Sequence, residues 1–387
     1  MTRMNPRIEH SFQLTKFTAI ILAAGLSSRM NAFKPLMLLG EMTILERVIR
    51  LFQSAGIEDI RVVAGYRAED VLAVLNPLGI RSVINERYEQ GMFSSVAAGV
   101  KSIEADPEAF FILPADIPLV RPQTIRTLMQ SWKKSKTSGL IYPTFEGKRG
   151  HPPLISSVYA GDIEQWHGEG GLSAFLAQHE SYSRDAAVAD ENILSDLDTP
   201  ADYQKLLEKY KQYDIPTVRE CMALMTDIFA VEKPIQDHCR TVAAVAEKLA
   251  TALNRAGNPI NLGLLTAAAL LHDLARNQPD HAKAGEFILK EMGFPAVADI
   301  VGAHTDITLD EDRAVQASEI LYLADKSVQG ERIVSITERF AKRITRHAHD
   351  PEIRERIALR LKNAVRIKER IETVTGKPLE TILESSD

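Results

Sequence analysis

The segment Thr18-Ala-Ile-Ile-Leu-Ala-Ala-Gly-Leu-Ser-Ser-Arg-Met30 joins an apolar run directly to a small loop that contains glycine and serine, and Lys34-Pro35-Leu36 follows. The run predicts a buried strand, and a loop of this composition lets backbone N–H groups approach an anion closely. Arg29 and Lys34 would add positive charge beside a triphosphate. A tight strand–helix turn with solvated basic side chains would give the same pattern. Neither GxGxxG nor GxxxxGKS/T is present, which excludes a dinucleotide fingerprint and a Walker loop.

Alternating strand and helix patterns continue from this segment to about residue 200. This alternation predicts a Rossmann-like α/β domain with a mostly parallel sheet that is covered by helices. The predicted strands are Thr18–Leu22, Ile60–Val63, Ile80–Ile84, Phe110–Leu113 and Leu140–Tyr142. The predicted helices are Ile44–Phe52, Ala68–Leu75, Met92–Ile103, Gln123–Trp132 and Asp202–Tyr213.

The strand signal ends there, and the rest of the chain predicts an all-α domain. Candidate helices are Val218–Phe229, Ile235–Ala256, Leu262–Leu274, His281–Met292, Pro295–Ala303, Ala314–Val328 and a long one over Glu331–Val374. Two domains suit a length of 387 residues. We expect a polar tail over 1–16, an α/β domain over 17–205, a linker over 206–220, an all-α domain over 221–375 and a tail over 376–387.

Composition narrows the class of protein. The formal net charge is −6, whereas proteins that coat nucleic acid or anionic lipid need a basic excess, so we expect neither partner. Two cysteines, Cys221 and Cys239, make no disulfide framework. The first sixteen residues contain no apolar segment typical of a signal peptide, and the longest apolar runs are far shorter than the roughly 20 residues of a bilayer span. A cytoplasmic enzyme is the expectation.

An acidic residue closes a predicted strand in Leu113-Pro-Ala-Asp116-Ile-Pro118. Ligands of α/β sheets bind at the carboxyl ends of the strands. A carboxylate at such a position suits Mg²⁺, which often combines one or two carboxylates with the phosphates of a substrate. Asp116 would also suit the N-cap of a following helix.

Five motifs occur in an order that resembles the molybdenum-cofactor nucleotidyltransferases, the MobA/MocA-like NTP transferases. The resemblance extends over about residues 17–205, and the combination is far more specific than any single motif. The motifs are Leu22–Met30 with Lys34-Pro35, Val63-Ala-Gly-Tyr66, Asn85 with Gly91-Met-Phe-Ser-Ser95, Lys148-Arg-Gly-His-Pro152, and Asp196-Leu-Asp-Thr-Pro-Ala-Asp202.

The resemblance implies transfer of a nucleotidyl group, with Mg²⁺, to a phosphorylated acceptor such as molybdopterin. Arg29 and Lys34 would bind the triphosphate, Asp116 would bind the metal with either Asp196 or Asp198, and these groups would carry the catalysis. The other residues implied to bind nucleotide are Leu22, Ala23, Ala24, Gly25, Gly65 and Ser94. His151 would line the acceptor side, although a histidine in a turn fits equally well.

The choice of nucleotide is indicated by the loop itself. Ala23-Ala24-Gly25 is as in the cytidylyl-transferring branch, whereas the guanylyl branch usually carries Gly-Gly, so the resemblance favours CTP over another NTP. Asn31 departs from the usual glycine. A molybdoenzyme or its maturation factors would then be partners. A sugar phosphate, phosphocholine or a phosphonate is the alternative acceptor.

A second constellation lies in the helical half. His238 is followed at helical spacing by Val242, Val245, Leu249 and Leu253, so its ring points inward. Five more residues share this core-facing position: His272, Asp273, His281, His304 and Asp325. One such residue alone is usually a satisfied core residue, but buried imidazoles and carboxylates in this number must be paired or bind metal. Without cysteine, the set suits Fe, Mn, Ni, Zn or Mg.

The order His238, His272-Asp273, Asp325 resembles the HD phosphohydrolase superfamily over about residues 220–330. With His281 and His304 it is similar to a subgroup that has two additional histidines, which implies two metals about 3.5–4 Å apart with Asp273 between them. Arg276, one helical turn further on, would hold the scissile phosphate, unless it is a solvated cation at a helix end. The alternative for this domain is a non-catalytic module that binds a nucleotide and regulates the transferase.

Overall fold

The computed structural model describes residues 16–30, 32–104, 106–135, 139–346 and 349–384. Nearly all of the expected polar tail, and Asn31, lie outside the described residues. The chain divides into two compact units, Met1–Tyr210 and Lys211–Asp387.

The first unit is a mostly parallel sheet with helices on it, as predicted. Its strands are β1 (Phe17–Ala23), β2 (Leu38–Leu39), β3 (Met42–Thr43), β4 (Asp59–Ala64), β5 (Arg81–Ile84), β6 (Ala109–Pro114), β7 (Leu140–Phe145), β8 (Lys148–Arg149), β9 (Leu154–Ser156) and β10 (Ser183–Ala187). Its helices are α1 (Ile44–Ser54), α2 (Ala68–Leu78), α3 (Met92–Lys101), α4 (Pro122–Lys134), α5 (Ala160–Glu164), α6 (Gly171–Gln178) and α7 (Pro200–Lys211).

The main sheet has the strand order β10-β7-β9-β6-β1-β4-β5, with β8 paired to β7. The central strand β1 is parallel to β4 and β6, and all seven of its residues are buried, as expected for a strand covered on both faces. The carboxyl ends of these strands therefore meet at one edge, where the N–H of Ala115 donates to the carbonyl of Leu22 (2.9 Å) and the N–H of Tyr66 to that of Ala24 (3.2 Å).

Strands β8, β9 and β10 were not predicted. Strand β9 is antiparallel to both β6 and β7, and Glu146 and Gly147, which adopt positive φ angles of 50° and 75°, turn the chain between β7 and β8. Strands of two or three residues are too short to show an alternating pattern, and β10, Ser-Arg-Asp-Ala-Ala, is polar.

The second unit is helical. Its helices are α8 (Val218–Ala223), continued by a π-turn over Leu224–Ile228, α9 (Lys233–Arg255), α10 (Leu262–Leu271), α11 (His281–Glu291), α12 (Pro295–Gly302), α13 (Ala317–Lys326), α14 (Ile336–Arg346), α15 (Pro351–Thr375) and α16 (Leu379–Glu384), with a small hairpin of β11 (Val328–Gln329) and β12 (Arg332–Ile333). Seven of the ten residues of α10 are buried, as in a helix at the centre of a core.

Three expectations for this half need correction. The long helix expected over Glu331–Val374 is two helices, because Asp350 caps the second by accepting from Ile353 N–H (3.0 Å) and Pro351 begins it. Residues 206–211 of the expected linker belong to α7. The expected tail over 376–387 contains α16, whose Leu379 and Ile382 are buried.

In the parts of the chain that the structure describes, no helix combines the length and the apolar character that a bilayer span requires.

The packing of α3 on the sheet generates a test. A methyl group at Gly99 would lie 2.5 Å from Ile20 Cγ2 and 3.0 Å from Val63 Cγ2. We expect Gly99→Ala to lower the unfolding free energy by about 1–3 kcal/mol, the usual effect of overpacking, as measured by urea denaturation. Gly161→Ala is the control, because nothing lies within 4 Å of its added methyl group. Equal stability of the two variants would show that the α3 contact is not as tight as described.

Candidate active sites

Four of the predicted residues of the first unit meet beyond the carboxyl ends of β1 and β6. Lys34 Nζ lies 3.0 Å from Asp116 Oδ2 and 3.0 Å from Asp198 Oδ1, and Arg29 Nη1 lies 2.9 Å from Asp198 Oδ2. Burial alone would lower the pKa of Lys34, but the two carboxylates outweigh it and hold that pKa above its ordinary value. The hydrogen bond from Lys34, aided by Arg29, lowers the pKa of Asp198. Two carboxylates thus converge on one cation, and carboxylate oxygens are a donor set that fits Mg²⁺.

The geometry separates the two carboxylates that the sequence left open. Asp198 shares the ammonium of Lys34 with Asp116. Asp196 instead lines the neighbouring cavity together with His151, and its charge acts on that ring. Asp198 is therefore the partner of Asp116 in this arrangement.

The loop after β1 is closed by its own hydrogen bonds. Ser27, which has a positive φ of 54°, accepts at its carbonyl from Met30 N–H (3.0 Å) and at its hydroxyl from Lys34 N–H (3.2 Å). Ala23 and Ala24 are buried, while Gly25 is exposed and has open space beside it. At Gly25 the loop therefore offers backbone, rather than side chain, to the outside.

Gly65 and Ser94 have parts in this architecture that the sequence did not predict. A methyl group at Gly65 would lie 2.9 Å from Ala24 Cβ and 2.7 Å from Tyr88 Cβ, so the glycine lets two loops pack together. The hydroxyl of Ser94 accepts from Asn85 Nδ2 (2.8 Å) and lies 2.8 Å from the carbonyl of Gly91, to which it can donate. Ser94 thus holds the turn before α3, and its predicted contact with the nucleotide is not evident from this geometry.

A cavity of 690 Å³ opens beside Leu22, within the range of about 300–1,000 Å³ that is usual for small-molecule sites. Most of its wall is apolar or aromatic. Representative lining residues are Phe93, Ile112, Tyr142, Leu172, Leu176 and Ile193. His151 also lines it, and desolvation lowers the pKa of this ring, which is therefore neutral at pH 7.

Arg149, the arginine in this cavity wall, is paired with other side chains. The Arg149 guanidinium pairs with both carboxylate oxygens of Glu180 (2.8 and 2.8 Å) and with Asp185 (2.6 Å), and lies 4.4 Å from the centre of the Tyr142 ring. Glu180 raises the pKa of Arg149 further. The sequence missed this cluster because its members come from distant segments and no local pattern connects them.

In the second unit, all six predicted residues meet. They form two groups, and the candidate ligand atoms of each lie within 4.8 Å of one another. The groups are His238, His272 and Asp325, and Asp273, His281 and His304. Asp273 joins them, because its Oδ1 lies 3.2 Å from His281 Nε2 and 3.7 Å from His304 Nε2, while its Oδ2 lies 3.7 Å from His272 Nε2. Asp273 thus faces both groups, and its place between two metals stays a prediction.

Backbone carbonyls fix the orientation of the imidazole rings. The Nδ1 atoms of His272, His304 and His238 lie 2.8, 2.6 and 2.9 Å from the carbonyls of residues 269, 301 and 330. An Nδ1–H that donates to a carbonyl leaves the Nε2 lone pair available as a ligand. In each ring Nε2 faces the carboxylates.

His272 provides the test of whether a metal fits. Its Nε2 is buried and has no hydrogen-bond partner among the described residues, although an unpaired buried polar atom is costly. Burial lowers its pKa to about 4, so the ring is neutral, as a ligand must be. Burial would raise the pKa of Asp273, but His272, His281, His304 and Arg276 together hold it low. An orphaned imidazole nitrogen among ionised carboxylates fits a divalent metal.

Lys326 connects the two groups and was not predicted as a site residue. Its side chain is 7% exposed, and its ammonium donates to Asp325 Oδ2 (2.8 Å) and to the carbonyl of His304 (2.7 Å). It also lies 4.3 Å from the centre of the Tyr322 ring. One buried cation thereby holds a member of each group in place.

Arg276 lies beside the same cluster. Its Nη1 lies 3.4 Å from Asp273 Oδ1 and 3.1 Å from His281 Nε2, and its side chain is 44% exposed. It lines a cavity of 450 Å³ that opens onto the six residues. A guanidinium at that place can reach both the cluster and a ligand in the cavity.

Comparison with known proteins gives two family matches. Residues 19–182 match the MobA-like NTP transferase domain, and residues 235–330 match the HD domain. The molybdenum cofactor cytidylyltransferase of Escherichia coli is 30% identical over 203 residues, which are 51% of this chain and all of that protein. The nicotine blue oxidoreductase of Paenarthrobacter nicotinovorans is 26% identical over 49% of this chain and 96% of that protein. Both resemblances seen in the sequence are confirmed.

A solved structure is also similar. The crystal structure of Rv0371c from Mycobacterium tuberculosis covers 50% of this chain and 98% of its own, with 26% identity and a TM-score of 0.46.

The buried lysine of the helical unit can be tested by substitution. Lys326→Met leaves Asp325 without its cation, and removing one partner of a buried pair costs about 3–5 kcal/mol. Guanidinium denaturation of the metal-free chain should show such a loss. Lys283→Met, which removes an exposed pair with Glu286 (2.8 Å), should cost no more than about 1 kcal/mol. Comparable small losses in both variants would contradict the structural part assigned to Lys326.

Proposed function

The chain belongs to the MobA-like NTP transferase family and carries an HD domain as well, and from this premise we propose that it is a bifunctional enzyme. The first unit transfers CMP from CTP, with Mg²⁺, to a phosphorylated acceptor of the molybdopterin type. The HD domain hydrolyses a phosphate ester with two divalent metals.

The convergence of Asp116 and Asp198 on Lys34 is the observation that carries the transferase half. In the reaction, an acceptor phosphate oxygen attacks the α-phosphorus of the nucleotide and pyrophosphate leaves. Lys34 and Arg29 hold the negative oxygens of the triphosphate, and the loop after β1 presents backbone N–H groups to them. Bound at Asp116 and Asp198, Mg²⁺ would neutralise the charge on the phosphates.

The cavity supports an acceptor with a flat ring, whose faces can pack on apolar side chains and whose edges need polar partners. Its wall is mostly apolar, His151 is neutral, and Arg149 is held by Glu180 and Asp185. A sugar phosphate would need several polar partners for its hydroxyls, and leaving them unpaired is costly. A pterin ring can stack on the aromatic side chains of this wall, which a sugar does less well, and a molybdoenzyme or its maturation factors would then receive the product. CTP is supported by Ala23-Ala24-Gly25 and by the name of the Escherichia coli relative.

The buried, unpartnered Nε2 of His272 is the observation that carries the hydrolase half. In a regulatory module without metal, burying this nitrogen without a partner would cost free energy and serve no purpose. A metal centre, by contrast, uses the lone pair of the nitrogen as a ligand. Together, two metals at the six residues would activate water and stabilise the leaving oxygen. Arg276 would orient the phosphate from the cavity side.

A cytoplasmic location is part of the proposal. Neither Cys221 nor Cys239 forms a disulfide, and both are buried, as expected for a chain that does not use disulfides.

The transferase half is tested by pyrophosphate release from CTP and from GTP, each with molybdopterin, a sugar phosphate, phosphocholine or a phosphonate. CTP with molybdopterin should give the highest rate. Asp116→Asn should lose at least about 100-fold, as removal of one preorganised electrostatic group commonly does, and the exposed Asp162→Asn should not change the rate. Release that is faster with GTP, or with another acceptor, would correct the substrate, and undiminished release by Asp116→Asn would remove its assigned role.

The hydrolase half is tested by metal content and phosphatase activity together. The wild-type chain should retain about two divalent ions and hydrolyse phosphate esters. His272→Ala should lose at least one ion and nearly all activity, because it removes a ligand whose nitrogen has no other partner. His349→Ala, an exposed histidine of the same unit, should match the wild type. If wild type and His272→Ala release phosphate equally, the hydrolase claim is lost and the regulatory module is favoured.

A further inference from the structure

Positive charge extends beyond the six ligands along the wall of the HD cavity. Besides Arg276, the wall contains Arg339 on α14 and Arg360 on α15. The acidic side chains that line this cavity are Asp273 and Asp325, and both belong to the six ligands. Apart from these two carboxylates, the side chains that line the cavity include cations, of which Arg360 is paired with Asp306 behind the wall and Arg339 is not paired with a carboxylate among the described residues.

Arg339 and Arg360 both have guanidinium edges to offer to a ligand. Arg339 makes no side-chain ion pair with any residue that the structure describes. Arg360 uses Nε and Nη2 for Asp306, at 2.7 and 2.6 Å, which fixes the plane of its guanidinium. Its Nη1 edge is not engaged by Asp306, and a fixed planar donor of this kind suits a phosphate.

A single phosphate at the metal groups would not need this second set of donors. Arg276 lies within 3.4 Å of Asp273 and already serves that position. The cavity measures 450 Å³, within the usual range of about 300–1,000 Å³ for small organic ligands. Two charge-bearing positions in one cavity indicate a ligand with two anionic groups.

We propose that the substrate of the HD site contains two adjacent phosphates, the second of which is held by Arg339 and Arg360. This inference rests on the proposed hydrolase function. Water attacks the phosphorus held beside Arg276, a P–O bond forms, and the bond from that phosphorus to the bridging oxygen breaks. The bridging oxygen leaves with the bonding electrons on the second phosphate, and one proton is released to solvent at neutral pH.

The proposal gives the two units a chemical relation. Nucleotidyl transfer to a phosphorylated acceptor yields pyrophosphate and a product in which two phosphates are joined through oxygen. Both contain the P–O–P linkage that the HD site would cleave. A reaction that consumes such a linkage would thus follow the transfer.

Binding of methylenediphosphonate, a diphosphate analogue that resists hydrolysis, tests the second phosphate position without turnover. Calorimetric titrations would use the Mn²⁺-loaded full chain with Lys34→Met, which removes the triphosphate-binding lysine of the first unit. Arg339→Ala should weaken binding of the diphosphonate at least 10-fold, since a charge-assisted hydrogen bond is lost, and should change binding of inorganic phosphate less than 2-fold. Arg354→Ala, an exposed arginine of α15 that does not line the cavity, should change neither.

Hydrolysis gives the second readout. For Arg339→Ala, kcat/KM should fall at least 10-fold with pyrophosphate and CDP and stay within 2-fold of wild type with CMP. Equal losses for all three substrates, or unchanged diphosphonate binding, would overturn the inference. If the wild-type chain cleaves CMP but not the diphosphates, the two-phosphate inference is overturned and the hydrolase function stands. If the chain retains no metal and cleaves nothing, the hydrolase function is overturned. In that last case the diphosphonate titration, repeated without Mn²⁺, still decides about Arg339.

Discussion

Asp273 carries a negative charge in a place almost closed to water, and the helical unit is arranged around that charge. Three imidazole rings and Arg276 surround it. An unpaired buried carboxylate would be costly enough to change its protonation. The helices must therefore bring these polar side chains to one point, although most of their other buried positions are apolar. Lys326 meets the same demand at Asp325.

In the first unit, charged side chains are also paired with one another, at one edge of the sheet, but they are less buried. Parallel strands end together, so the loops after β1 and β6 place Lys34 and Asp116 side by side. Asp198 arrives from a segment more than eighty residues further along the chain and completes the arrangement. Because Lys34 is partly buried while Asp198 is largely exposed, the carboxylates and their cation keep contact with solvent, and a charged substrate can replace that solvent.

The sequence predicts the residues that lie in strong local patterns. Five of the six clustered residues of the helical unit, all but His281, lie at helical spacing from preceding apolar residues, and Asp116 closes an apolar strand, so burial and direction could be inferred. The contact of Lys326 with Asp325 could not be predicted. Adjacent helix residues point about 100° apart, and only the long side chain of Lys326 brings its ammonium back to Asp325. The Arg149–Glu180 pair could not be predicted either, since it depends on the way β7, β8 and β10 are placed. Ser94 shows a different limit, because the motif does not reveal its hydrogen bonds to Asn85 and Gly91, while its contact with the nucleotide stays a prediction.

The carbonyl-anchored imidazoles of the helical unit have a consequence for assembly. Rings that are already oriented in the folded chain lose little conformational entropy when they accept an ion, and such entropy is otherwise a main cost of ordering side chains. Zinc fingers, by contrast, remain unfolded until the ion arrives. Here the anchoring carbonyls belong to the folded backbone itself, so an ion bound at these side chains would exchange in the finished protein, and the cellular supply of each element would decide which one it holds.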